Sequence, residues 1–183
     1  MSKDHSYTLI KTKLYKPRIR DDLVPRPRLV YRLNQGLNRP LTLVVAPTGY
    51  GKTTLVTQWL ADCPQPAAWL SLDETDNDLV LFLDYFIAAI QTVFPEACQE
   101  TLALLRATHL PSRDYLTTVL INEISEFPEQ FLLVFDDYHR IEDEAVHQLV
   151  GALVSSRLQR MHLVLAGRVD HTCPLPGCES DGR

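Results

Sequence analysis

No stretch of this sequence is suited to export or to a bilayer. The start, MSKDHSYTLI, has no apolar core of the kind a secretory signal needs. The most apolar segment, LVLFLDYFIAAI, is too short to span a membrane and carries Asp84. Cysteine is sparse. Cys63, Cys98, Cys173 and Cys178 are scattered without a disulfide framework, so reduced thiols and a cytoplasmic location are expected. Basic residues thin out along the chain. Residues 41–183 hold eight Lys/Arg against twenty Asp/Glu, whereas residues 1–40 hold ten against three. The basic end could draw a phosphate-rich partner or be a solvated lead-in. With 45% hydrophobic and 22% charged residues, the 183-residue chain has the composition of an ordinary globular domain.

What is present is a regular alternation. Prolines 17, 25 and 27 keep the first part extended, and a short helix is expected over about 28–37. LTLVVA (41–46) reads as a buried strand and 52–61 as a helix. AAWLSL (67–72) is a second strand, and 79–94 is a helix apolar on most sides with Asp78 as its cap. A helix over 112–126 puts Leu116, Val119, Leu120 and Ile124 on one face. FLLVFD (131–136) is a third strand. The stretch 143–158 is a helix with Val146, Leu149, Val150, Leu153 and Val154 inward and Asp143 and Glu144 in its first turn. HLVLAG (162–167) is a fourth strand. Strands alternating with helices predict an α/β fold with a mostly parallel sheet. Trp59 and Trp69 are expected in the core. Residues 169–183 lack periodicity and read as an irregular, disordered tail. A domain this regular should not stop straight after a strand, so a fragment is expected.

The chemistry is concentrated in VVAPTGYGKTT (44–54). A glycine-rich turn between a strand and a helix lets backbone N–H groups face phosphate oxygens, helped by the helix dipole. Lys52 supplies a cation for the β- and γ-phosphates, and Thr53 a hydroxyl ligand for Mg²⁺. Gly49 and Gly51 have the required spacing. Ala46 replaces the usual first glycine, a mild departure where φ is negative. Tyr50 and Thr54 complete the candidate nucleotide-binding loop. Mg²⁺ also needs a carboxylate at a neighbouring strand end. Asp136 answers that need, acting through water. Asp137 is placed to polarise the attacking water, the alternative being a loop or capping aspartate. Asp is one methylene shorter than the Glu common in hydrolysing relatives, so slow hydrolysis is expected. Arg168, after the fourth strand, either senses the γ-phosphate or is an exposed post-strand arginine.

KLYKPRIRDDLVPRPRLVYRLNQGL, LTLVVAPTGYGKTT, AWLSLDETDND, LLVFDDYHRI and LVLAGR follow the order seen in MalT-like, LuxR-type bacterial transcription activators. The chain resembles that family from residue 8 to about 168. The family belongs to the STAND class of P-loop ATPases, related to AAA+ ATPases. The resemblance implies a P-loop NTPase core over 41–168, with sheet order 5-1-4-3-2 and truncated here after its fourth strand. It implies that the lead-in, 1–40, contributes to the nucleotide site. Val24, Pro25 and Arg26 match the part near the adenine. Lys52 and Thr53 match the P-loop, Asp136 and Asp137 the Walker B pair, and Arg168 the sensor arginine. The implied cofactors are ATP/ADP and Mg²⁺, used as a switch. ADP holds the resting state, whereas inducer and ATP favour self-association, and a helix-turn-helix absent from this chain binds promoter DNA. Loss of the fifth strand would expose one edge of the loop strand.

The alternatives are a stand-alone P-loop ATPase or small-molecule kinase, and direct nucleic-acid binding by the basic end. A kinase lid, a recognisable helix-turn-helix and a nucleophile elbow are all missing from the sequence. His171, Cys173 and Cys178 are one ligand short of a zinc site. His139 reads as a loop hydrogen-bonder rather than a catalyst. SLDETDND (71–78) lacks the glycine and final glutamate of a calcium loop and reads as solvated.

Overall fold

The computed structural model describes residues 8–18 and 24–168. The expected tail, with His171, Cys173 and Cys178, lies outside the described residues. The fold is α/β: four parallel strands flanked by helices. In chain order the elements are α1 (Pro27–Gly36), β1 (Leu41–Val45), α2 (Lys52–Ala61), β2 (Ala67–Ser71), α3 (Leu79–Gln91), α4 (Gln99–Leu105), α5 (Arg113–Ser125), β3 (Phe131–Asp136), α6 (Glu144–Ser155) and β4 (Met161–Gly167). The sheet order is β1-β4-β3-β2, which agrees with the order the resemblance implies for these four strands.

The strands alternate side chains between two apolar layers, as their period of two requires. Phe131, Leu133 and Phe135 of β3 and Leu163 and Leu165 of β4 face the larger core, with helices α3 to α6. Leu132, Val134, Val164 and Ala166 face the smaller one, with α1 and α2. Both central strands are therefore buried throughout, which is why they read as continuous apolar runs. Trp59 and Trp69 sit in the smaller core at 0% and 2% exposure. Leu43 and Val45 of β1 are exposed, and among the described residues β1 pairs only with β4.

The caps explain where the helices begin. Asp78, Ser112 and Asp143 each accept a backbone N–H from the first turn of α3, α5 and α6. The expected helix over 79–94 ends at Gln91 instead. The chain then bends so that Phe94 packs on Phe127 and Phe131 at ring distances of 4.9 and 5.4 Å.

The acidic stretch expected to be solvated is so only in part: Glu74 and Asp78 are exposed, but Asp76 is not. Asp76 is fully buried, and its two carboxylate oxygens each lie 2.8 Å from Lys13 Nζ. Part of the lead-in is thus bound to the domain. Cys63 and Cys98 are free thiols. Burial, with the Glu123 charge adding, pushes Cys98 up to about 12. Among the described residues no helix is long and apolar enough to cross a membrane.

Candidate nucleotide site

β1 delivers the chain to the C-terminal edge of the sheet, and the loop 46–51 turns it into α2. Gly49 and Gly51 have φ of +84° and +73°, the left-handed region that a side chain disfavours. At Gly51 space is short as well: an added Cβ would lie 3.3 Å from Arg26 Nη2. Gly51→Ala is therefore expected to lower stability by about 1–2 kcal/mol in urea unfolding. At Gly49 an added Cβ meets nothing within 4 Å, so Gly49→Ala should carry the backbone strain alone.

Gly51 is the N-cap of α2 and supplies no side-chain hydrogen bond. In contrast to α3, α5 and α6, the first-turn N–H groups of α2 have no side-chain acceptor at the cap, the arrangement that suits an anion. Lys52 Nζ donates to the carbonyls of Ala46 (2.8 Å) and Pro47 (3.2 Å), which holds the ammonium over the loop. Ala46 N–H in turn donates to Gly167 O of β4 at 3.3 Å. Arg26 Nη1 donates to Tyr50 O at 2.9 Å, so the residue before α1 braces the loop from the other side.

The second half of the site comes from β3. Thr53 Oγ1 donates to Asp136 Oδ2 at 2.8 Å, across 83 residues of sequence. Asp137 N–H donates to Asp136 Oδ1 at 3.1 Å. Burial pushes the Asp136 carboxyl above its ordinary range; the Thr53 hydrogen bond opposes this, and the Asp137 charge adds to it. Asp137 itself has φ of +58° and a half-exposed carboxylate. Arg168 follows β4 at the same edge and is exposed. Val24 is 77% exposed, and Pro25 lines a groove of about 490 Å³ between α1 and α2.

The structure thus brings Ala46, Gly49, Tyr50, Gly51, Lys52, Thr53, Asp136 and Asp137 to one sheet edge, with Arg26 beside them. Sequence reasoning passed over Tyr138 and Asn77. Tyr138 OH bonds His147 Nδ1 at 2.8 Å inside the core, which roots the turn after Asp137. His139 stands close to the end of β4: a Cβ added at Gly167 would lie 3.5 Å from His139 N.

No family model matches the chain. It is 36% identical over 160 residues to the HTH-type transcriptional regulator MalT of Yersinia pestis (strain Pestoides F). The MalT of Yersinia enterocolitica serotype O:8 / biotype 1B gives the same identity over the same length. Each match covers 87% of this chain and 18% of the regulator, so the chain spans less than a fifth of the curated relatives it matches. Over 87% of its own length, therefore, the chain is similar to the corresponding part of MalT regulators.

Proposed function

We propose that the chain is the ATP/ADP-binding switch module of a MalT-like, LuxR-type transcription regulator. The observation that carries this reading is the Thr53–Asp136 contact at the start of α2, directly after left-handed Gly51. A hydroxyl and a carboxylate in contact are hard oxygen donors suited to Mg²⁺, and they meet beside a lysine and a run of uncapped backbone amides. Lys52 and the α2 amides would hold the phosphates. Thr53 and Asp136 would hold Mg²⁺, which neutralises phosphate charge when bound. Val24, Pro25 and Arg26 would line the adenine side, although Arg26 here braces the loop backbone. Asp137 would orient the attacking water, and Arg168 would sense the γ-phosphate. In the full-length protein, ADP would hold a resting state, and inducer with ATP a self-associating one that engages promoter DNA.

Asp136 supplies a test. Its carboxyl is raised in the fold, so the associated stability is complete below the unfolded value of 3.8 and is lost as pH rises through the folded value. At neutral pH the ionised group therefore costs the ligand-free protein stability. Asp136→Asn is expected to raise the melting temperature of the ligand-free chain at pH 7. The same change should remove the Mg²⁺ dependence of ATP affinity measured by calorimetric titration. Equal Mg²⁺ dependence in variant and wild type would take the carboxylate out of the metal site.

A further inference from the structure

We propose that Asn77 is a positioning residue for Asp137, acting through the loop 138–143; this rests on the nucleotide reading above. An asparagine amide offers two N–H donors and two acceptor lone pairs. Asn77 uses all four on backbone groups. Its Nδ2 donates to Arg140 O at 2.9 Å and to Glu74 O at 3.1 Å. Its Oδ1 accepts from Glu142 N at 2.6 Å and Asp143 N at 2.9 Å. Three of these partners lie on the segment between Asp137 and α6, more than 60 residues away in sequence.

Asp137 depends on that segment. Its left-handed backbone is disfavoured for a residue with a side chain, although aspartate tolerates it better than most, and the surrounding structure helps to hold it. The upstream flank is β3. Downstream, Arg140 N–H donates to Asp137 O at 2.9 Å, so a shift of Arg140 is felt at Asp137. Asn77 holds the carbonyl of that same Arg140. Tyr138 and Ile141 anchor the loop in the core, but a cleft of about 570 Å³, lined by Arg140, Glu142 and Asp143 among others, flanks its other side, where the backbone is held by the hydrogen bonds of Asn77. Asn77 is itself fixed from both sides, by buried Asp76 before it and by Asp78, the α3 cap, after it.

In the hydrolysis concerned, water adds to the γ-phosphorus of ATP as the bond to the β–γ bridging oxygen breaks. ADP leaves, and the water's proton departs by way of the Asp137 carboxylate. A displacement near 1 Å in such a group costs on the order of a hundredfold in rate. Binding is carried by Lys52, Thr53 and the α2 amides, none of which Asn77 touches.

The test compares wild type with Asn77→Ala and Asn77→Asp in Mg·ATP affinity and single-turnover hydrolysis. Asn77→Asp keeps the two acceptor bonds and loses both donations, and it serves where the alanine variant does not fold. We expect affinity within about threefold of wild type and a rate at least about tenfold lower. The proposal is overturned by unchanged rates, by affinity and rate falling together, or by neither variant folding. It is also overturned by a wild type that binds Mg·ATP without hydrolysing it. A wild type that does not bind Mg·ATP overturns the nucleotide reading itself.

Discussion

Lys52→Ala is expected to abolish the rise in melting temperature that saturating Mg·ATP gives the wild-type chain. A ligand that binds only the folded state at about 100 Kd stabilises it by about 2.7 kcal/mol. For a domain of this size that is roughly 5–10 °C. The lysine carries the cation of the site, whereas the loop it closes is also held by Ala46 N–H on Gly167 O and by Arg26 on Tyr50 O. The ligand-free variant should therefore still fold, having lost only the bonds from Lys52 Nζ to Ala46 O and Pro47 O. Each protein is compared with its own ligand-free melt, which removes that loss from the reading. Identical shifts in wild type and variant would remove Lys52 from the site.

The strands and the longest helices were legible because each strand is bounded by turn residues and α3, α5 and α6 each by its own cap, whereas the order of the strands in the sheet came from the family resemblance. Asp78, Ser112 and Asp143 lie in the sequence beside the helices they cap. The helix α4 was not legible, for the opposite reason. Its N-cap, Cys98, offers no side-chain bond. The first-turn amides of Glu100 and Thr101 instead donate to the carboxylate of Glu123 on α5, at 2.9 and 3.0 Å. A helix capped from another helix leaves no local signal. The nucleotide loop was legible for the converse reason, since its glycines, lysine and threonine fall within the five residues 49–53.

DETDND shows the same limit within the candidate site. Six polar residues in a row look solvated until their partners are known, and those partners are distant. Asp73 and Asp76 meet Lys13, Glu74 meets Arg140 at 2.8 Å, and Asn77 meets the loop after Asp137. Charge density in the sequence reads correctly for exposed Glu74 and fails at Asp76, whose buried partner Lys13 lies 63 residues away.

Lys13 and Asp76 carry the largest expected effect on stability. Lys13 is 7% exposed and Asp76 0%. The ammonium lies 2.9 Å from Asp73 Oδ2 and 4.5 Å above the Tyr85 ring. Breaking a buried pair from one side strands the other charge and costs about 3–5 kcal/mol. Lys13→Met should do so, leaving Asp76 with the Asp73 N–H at 2.8 Å as its remaining support. Asp76→Asn should cost less, because Lys13 keeps the half-exposed carboxylate of Asp73 and the ring face. The double variant should lose less than the sum of the singles, since no charge is then stranded. Urea unfolding of the four proteins measures the coupling, and simple additivity would show that the pair does not act as a unit. The pH dependence follows from the same contacts. For Lys13, burial works to lower the pKa, but the bonds to Asp76 and Asp73 outweigh it and the net shift is upward from 10.5. That contribution is complete below 10.5 and is lost as pH rises through the folded value. For Asp73, burial works upward, yet Thr75 and Lys13 hold the carboxyl below 3.8. Its contribution is complete above 3.8 and is lost as pH falls through the folded value. The difference in stability between wild type and Lys13→Met should therefore be level across neutral pH and narrow at both extremes.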